Sequence, residues 1–192
     1  MTISDNGIAL IKKYEGLRLT AYKAKASELY YTIGWGHYAP DIKPGQTITK
    51  AQAEGYLLDD ITKCEKYVEA LPYNLTQNQF DALVSFTFNC GAKNLLSLTD
   101  NGNRPLYIVA EKLLLYTKAG GVFMAGLKKR REAEHKLFIS DCIAAKDPAQ
   151  DVKDLQSFLN DHGFHLAVDG IAGPKTKAAL NNFLACAGVK VG

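Results

Sequence analysis

Between residues 29 and 34 the chain changes period. Leu29, Tyr31 and Ile33 alternate there with Tyr30, Thr32 and Gly34, the pattern of a half-buried strand. The segments on either side are patterned for helices. Residues 3–14 predict a helix capped by Ser4 or Asp5, with Ile8, Ile11 and Leu10 toward one face and Gly16 placed to end it. After "PGQTIT" (44–49) the pattern is helical for most of the way to residue 143. Thr49 can cap a helix over 50–70, Thr76 with Gln79 forms a capping box for 77–88, and Pro105 can open a helix through Tyr116. "TDNGNRP" (99–105) reads as a loop, and "KAGGVFMAGL" (118–127) as a flexible turn before a last helix over 127–140. Gly34 and Gly36 flank Trp35 and predict a turn or a close backbone approach. The expected fold class is therefore α+β, a small N-terminal β-hairpin or sheet beside a helical body.

The 192 residues are enough for one large and one small domain. Composition shifts at "AAKDPAQ" (144–150), which reads as a linker between residues 1–143 and 151–192. The second part carries two amphipathic segments joined by "HLAVDGIAG". Forty-odd residues are few for an independent core, so a compact all-α binding module of three helices is expected rather than a second enzyme domain. The net charge of +3 lies wholly in residues 1–143, because 144–192 hold five lysines and five aspartates. A field this weak, without a basic stripe, gives no ground for nucleic acid as a partner. The run Lys128-Lys129-Arg130-Arg131 is followed by Glu132 and Glu134 and reads as a solvated or ion-paired helix.

Cys64, Cys90, Cys142 and Cys186 are far apart and lack zinc-like spacing, which points to unpaired buried thiols in a reducing compartment. His162 and His165 have no third ligand nearby, so no metal and no cofactor is expected. No apolar run approaches the roughly 18 residues of a membrane span. The first nine residues lack a basic segment followed by an apolar core. The chain reads as a soluble monomer made in the cytoplasm, with neither membrane nor nucleic acid as partner.

The acid that stands out is Glu15, in the last turn of the first helix. There a carboxyl group faces the negative pole of the helix dipole among apolar neighbours, a setting in which it can serve as a proton donor. By itself this describes many surface glutamates. In combination, "EGLRLTAY", a short insert and then "YYTIGWGH" closely resemble the catalytic segment of the phage lysozymes, the endolysins of glycoside hydrolase family 24. The likeness continues through "TITKAQAEGYLLDDI", "LTQNQFDALVSFTFNCG" and "AGLKKRREAEHKLF", so that it spans roughly residues 3–140. The resemblance implies a lysozyme-like fold and a muramidase that hydrolyses the β-1,4 bond between N-acetylmuramic acid and N-acetylglucosamine in bacterial peptidoglycan. It implies Glu15 as proton donor, Thr32 as a holder of the attacking water, and a basic side chain, Arg130 or Arg131, paired with Glu15.

One residue departs from the family's pattern. Nine positions after its catalytic glutamate the family carries an aspartate or a cysteine, and here that position is Ala24. The segment between Tyr22 and Thr32 is also two residues longer than usual. Glu28 is the available substitute; on a regular strand it would share a face with Tyr30 and Thr32. Four residues of strand span about 13 Å, so a direct partnership with Thr32 requires a bulge or a bend. His37 and Asp41 are rivals, though a hydrogen-bonding role for His37 and a turn role for Asp41 fit each better. Of the aromatics in the first forty residues, Tyr31 is expected in the core, and Trp35 and Tyr38 beside the cleft with His37, in contact with substrate.

Residues 151–192 resemble the three-helix peptidoglycan-binding module, with Leu155, Gln156, Leu159 and Gly163 followed by Val168, Asp169, Gly170, Gly173, Pro174 and Thr176. Most of that motif encodes folding, since Asp169-Gly170 makes a tight turn and Pro174 starts a helix. The resemblance implies docking on the cell wall, reached after release from the host cytoplasm. Two alternatives stay open at the sequence level. A lytic transglycosylase would need one general acid and leave 1,6-anhydro ends, and a wall-binding protein would have no catalysis at all.

Overall fold

A computed structural model of the chain describes residues 1–25, 27–143 and 148–186. Helix α1 (Asp5–Glu15) leads into a three-stranded sheet of β1 (Arg18–Tyr22), β2 (Tyr31–Gly34) and β3 (His37–Ala39). The helical body follows as α2 (Lys50–Glu69), α3 (Gln77–Cys90), α4 (Ala92–Thr99) and α5 (Leu106–Leu113). A short hairpin, β4 (Lys118–Ala119) and β5 (Val122–Phe123), precedes the long α6 (Ala125–Ile143), and α7 (Pro148–Asp161) and α8 (Pro174–Cys186) close the described chain.

The caps sit where the sequence puts them. Ser4 accepts the Gly7 N–H to start α1, and Thr49 with Gln52 and Thr76 with Gln79 complete capping boxes on α2 and α3. Gly16, at φ 68°, ends α1 in a conformation that costs glycine little. Helix α3 is the axle of the body. Its residues from Gln79 to Thr87 are all buried, and α1, α2, α4 and α6 pack around it. Its Asp81, fully buried, receives the Ser4 N–H at 3.0 Å, the Ser4 hydroxyl and the Gln77 amide at 2.8 Å, which fastens the start of α1. The two helices come so close that a Cβ on Gly7 would lie 2.9 Å from the Asp81 side chain.

The sheet is antiparallel in the order β1-β2-β3, with Tyr22 opposite Thr32 and Thr32 opposite Tyr38. The strand begins at Tyr31 rather than Leu29, and Leu29 is 74% exposed. The reason is local: the Glu28 N–H turns back to the Lys25 carbonyl at 3.1 Å, so the chain reaches Tyr31 before it can pair. Glu28 is therefore not on a strand shared with Tyr30 and Thr32. Two further expectations change. Residues 118–127 hold the β4–β5 hairpin, whose Gly120 and Gly121 take φ 57° and 82° at the two turn positions, and α6 starts at Ala125. Helix α4 occupies part of a stretch read only as generally helical.

In the C-terminal unit Gln156 is the staple. Its amide donates to Asp169 at 2.8 Å and to the Ile171 carbonyl and the Thr176 hydroxyl at 3.1 Å each, and its oxygen accepts the Gly170 N–H at 2.9 Å. The motif therefore folds the α7–α8 connection onto α7. Helix α7 starts at Pro148, inside the segment expected to be linker, and residues 144–147 lie outside the described ones. Two helices are described here where three were expected; residues 187–192 lie outside the described set. The unit rests on α5, where Ile108 and Leu184 bury each other among Tyr107, Leu180 and Phe183 and Tyr107 meets the edge of Phe158 at 5.1 Å. The thiols of Cys64, Cys90 and Cys186 are free, but where buried thiols were expected Cys64 and Cys90 are half-buried and Cys186 is exposed, and the side chain of Cys142 lies outside the described set. Burial pushes the Cys64 thiol up to about 11, which keeps it protonated and unreactive.

Candidate active site

Glu15 is the last residue of α1, and the turn at Gly16 leaves its side chain pointing across the molecule, 19% exposed. Its Oε1 pairs with Arg130 of α6. Its Oε2 faces the β2–β3 turn, where a Cβ on Gly36 would stand 3.3 Å away. The carboxylate thus sits where α1, the sheet and α6 converge, and Gly36, at φ 91°, is the residue that lets the sheet come that close. Of the two candidate arginines it is Arg130 that reaches Glu15.

Thr32 is central in the sheet, paired on both sides and partly buried. Beyond Tyr22 the chain enters the loop that contains Ala24, and here Glu28 is engaged. Its Oε2 accepts the Ala24 N–H at 2.9 Å, and its own carbonyl accepts the Lys23 ammonium at 2.6 Å. The carboxylate of Glu28 is thereby brought to the backbone of residue 24, which is two residues past the partner of Thr32.

The other candidates are placed differently. Trp35 is 6% exposed and lies in the core with the Lys12 ammonium 4.6 Å from its ring centre, so it presents no free face where the sequence reading had it beside the cleft. His37 stacks on Tyr56 at 4.5 Å, and its Nδ1 lies 2.7 Å from Asp60, which also holds Lys63 at 2.7 Å. That cluster ties β3 to α2. Tyr38 is exposed, tilted against Tyr30 at 5.4 Å, and its hydroxyl accepts the Tyr30 N–H at 3.0 Å. Tyr31 packs on the core, as expected. Asp41 is exposed beyond β3.

The sequence reads the residues behind Arg130 as part of a solvated or ion-paired helix, without assigning them to the site. Glu134, one turn further along α6, and Arg131 are both fully buried and paired with each other, with Arg130 and with Ser85 of α3. Their signal was present in the Arg-Arg-x-x-Glu spacing, but a charged run says nothing of which helix face turns inward. Cavities of about 300 Å³ (Ser97, Arg104, Lys112, Leu115, Tyr116) and 400 Å³ (around Gln156, Ile171 and Thr176) involve neither α1 nor the sheet. The site is located by its converging charges, not by these hollows. Chemically, a shielded carboxyl group fixed by one guanidinium where α1, the sheet and α6 converge suits a proton donor in acid-catalysed cleavage of an ether-type bond.

Comparison with known proteins places residues 12–134 in a match to the family model described as phage lysozyme. The endolysin of Bacillus phage B103 is 45% identical over 146 residues, which cover 73% of this chain but 55% of that protein, so the chain spans about half the length of this relative. Among solved structures, an endolysin from Escherichia coli O157:H7 phage FAHEc1 superposes with a TM-score of 0.62 at 36% identity, covering 73% of this chain and 95% of its own. The muramidase domain of SpmX from Asticaccaulis excentricus gives 0.63 at 33% identity, covering 72% and 97%. The family match ends before α7.

Proposed function

The chain belongs to the phage lysozyme family, and from that premise we propose that it is an endolysin that hydrolyses the β-1,4 bond between N-acetylmuramic acid and N-acetylglucosamine in peptidoglycan. The observation that carries the proposal is the Glu15 carboxyl group at the end of α1, shielded and fixed between Arg130 and the Gly36 turn.

Protonated Glu15 gives its hydrogen to the glycosidic oxygen as the C1–O bond breaks. A water held at Thr32 adds to C1, and Glu28 takes its proton, so that each product gains one part of the water. Glu28 fills the role for a physical reason. The family's second carboxylate belongs at position 24, where alanine carries none, and the hydrogen bond from Ala24 N–H draws the Glu28 carboxylate to that same backbone. The two carboxyl groups must leave room between them for the attacking water. An inverting glycosidase needs roughly 6.5–9.5 Å between its carboxyl groups for that purpose. His37 and Tyr38, at the edge of the sheet, border the sugar-binding surface; the buried Trp35 supports it from beneath.

Residues 151–192 dock on the wall and keep residues 1–143 at high effective concentration over their substrate. The protein acts as a monomer, without cofactor, after release from the cytoplasm to the cell wall.

Turbidity of purified peptidoglycan tests the assignment. Wild type should clear it and leave reducing muramic acid ends, Glu15→Gln should lose nearly all activity, and Glu28→Gln should lose at least about tenfold. Equal clearing by wild type and Glu15→Gln removes the proton donor. Near-wild-type activity in Glu28→Gln removes the second carboxylate, and 1,6-anhydro ends replace hydrolysis by transglycosylation. For the C-terminal unit, full-length Glu15→Gln should co-sediment with intact walls, and a chain ending at residue 143 should not.

A further inference from the structure

Arg130 meets Glu15 through one nitrogen and is held by two others. Its Nε donates to Glu134 Oε1 at 3.1 Å, its Nη2 donates to the Ser85 carbonyl at 3.2 Å, and its Nη1 pairs with Glu15. A guanidinium is a rigid plane, so once two of its nitrogens are fixed the third has one direction left. Glu134 is fixed in turn: Ser85 Oγ donates to its Oε1 at 2.7 Å, Arg131 Nη2 donates to the same oxygen at 2.8 Å, and Arg131 Nε lies 2.7 Å from Oε2. Arg131 is anchored separately by Nη1 on the Cys90 sulfur at 2.7 Å and by the Phe86 ring 5.0 Å from its guanidinium carbon. Two arginines thus serve the carboxyl groups of Glu134 and Glu15 together.

We propose that Glu134 is a positioning residue for the reaction. It never touches substrate; it aims Arg130 and, through Arg130, sets the place and charge environment of the proton donor. The inference rests on the reading of Glu15 given above. A buried ion pair is weak ground for stability alone, because desolvation offsets most of the attraction. Its reach to Glu15 gives it a second role. The groups that face this pair are Tyr14, whose ring lies 5.8 Å from the Arg130 guanidinium carbon, Ser85 from α3, Gly36 from the sheet turn, and Arg131 beside it; Glu132 is exposed and paired with Lys128.

The test is Glu134→Gln in the full chain, with kcat, KM and the pH profile measured on solubilised glycan strands and with Glu15→Gln beside it. With the Glu134 charge gone, Glu15 is the one carboxylate partner left to Arg130 among the described residues, and Arg130 holds the ionised donor more firmly. Expected are a fall in kcat of roughly tenfold, a KM within about twofold, and a basic limb of the rate profile moved to lower pH. Glu134→Asp should recover part of kcat. A folded Glu134→Gln with the wild-type kcat and profile overturns the inference. So does a loss that only tracks the unfolded fraction. If Glu134→Gln does not fold, Ser85→Ala, which removes one donor to Glu134 and leaves every charge, should shift the same limb by less; an unmoved limb overturns the inference. Should Glu15→Gln stay active, the catalytic reading itself fails; Glu15→Gln dead beside a wild-type-like Glu134→Gln fails the positioning role alone.

Discussion

At the scale of single residues, the sheet meets the Glu15 carboxyl group at a residue that has no side chain. Gly36 has no Cβ, and one placed there would sit 3.3 Å from Glu15 Oε2 in a backbone conformation, φ 91°, that L-residues avoid. Gly36→Ala should therefore push the carboxylate away from the sheet, costing on the order of tenfold in kcat, with a smaller effect on substrate affinity. Steady-state kinetics on purified walls checks this, and an unchanged kcat would mean the turn does not set the donor's position. The proposed roles of Glu15 and Thr32 rest on contiguous local patterns, "EGLRLTAY" and "YYTIGWGH", which is why both residues stand out in the sequence. Glu28 is legible only as the nearest spare acid, because its hydrogen bond to Ala24 depends on how an enlarged loop closes. Glu134 is hidden, since inward and outward faces of α6 carry charges alike. Trp35 is misplaced for the opposite reason: an aromatic between two glycines suits a surface turn or a buried wedge equally well, and here it is buried with the Lys12 ammonium over its ring.

Elements are where the sequence speaks most clearly. The two capping boxes and the Ser4 cap are completed within four residues of chain, so the starts of α1, α2 and α3 follow from local chemistry. The β4–β5 hairpin escapes because strands of two residues are too short to alternate. What local patterns cannot reveal is how tightly elements meet. Gly7 in α1 looks like a weak helix residue, and alanine would improve helix propensity by about 1 kcal/mol. The packing opposes this. A Cβ at position 7 would lie 2.5 Å from Ile3 Cγ1 and 2.9 Å from Cβ and Cγ of Asp81, the anchor of Ser4 and Gln77. Ile3 can swing aside, but Asp81 moves only with α3. Overpacking of this kind costs about 1–3 kcal/mol, so Gly7→Ala should be net destabilising. A lower urea midpoint at unchanged slope is the expected measurement; a higher midpoint would show that α1 shifts freely on α3.

For the whole molecule, the body and the C-terminal unit are held by different chemistry. The body closes around the buried face of α3, whereas the unit of α7 and α8 relies on the Gln156 staple and on its aromatic seat against α5. The composition shift at 144–150 marks the C-terminal unit in the sequence, but its seat on Tyr107 and Ile108 is not legible there, because it joins Tyr107 to Phe158 and Ile108 to Leu184, residues 51 and 76 positions apart. The difference has a consequence in acid. The hydrogen bonds from the Gln156 amide and the Ile171 N–H hold the Asp169 carboxyl below the ordinary aspartate range. A folded value below the unfolded one means stabilisation that is fully present above the ordinary range and lost as pH falls through the folded value. Acidification from about pH 4 downward should therefore loosen the C-terminal unit through Asp169. The chain has a single tryptophan, Trp35, buried in the body, so its fluorescence follows the body while amide signals of α7 and α8 follow the unit. Asp169→Asn keeps an acceptor for both donors and removes the titration, so amide protection in α7 and α8 should become nearly flat across that acid range while the Trp35 transition stays where it was. If wild type and Asp169→Asn lose α7 and α8 protection along the same acid curve, this carboxylate does not govern the unit's acid stability.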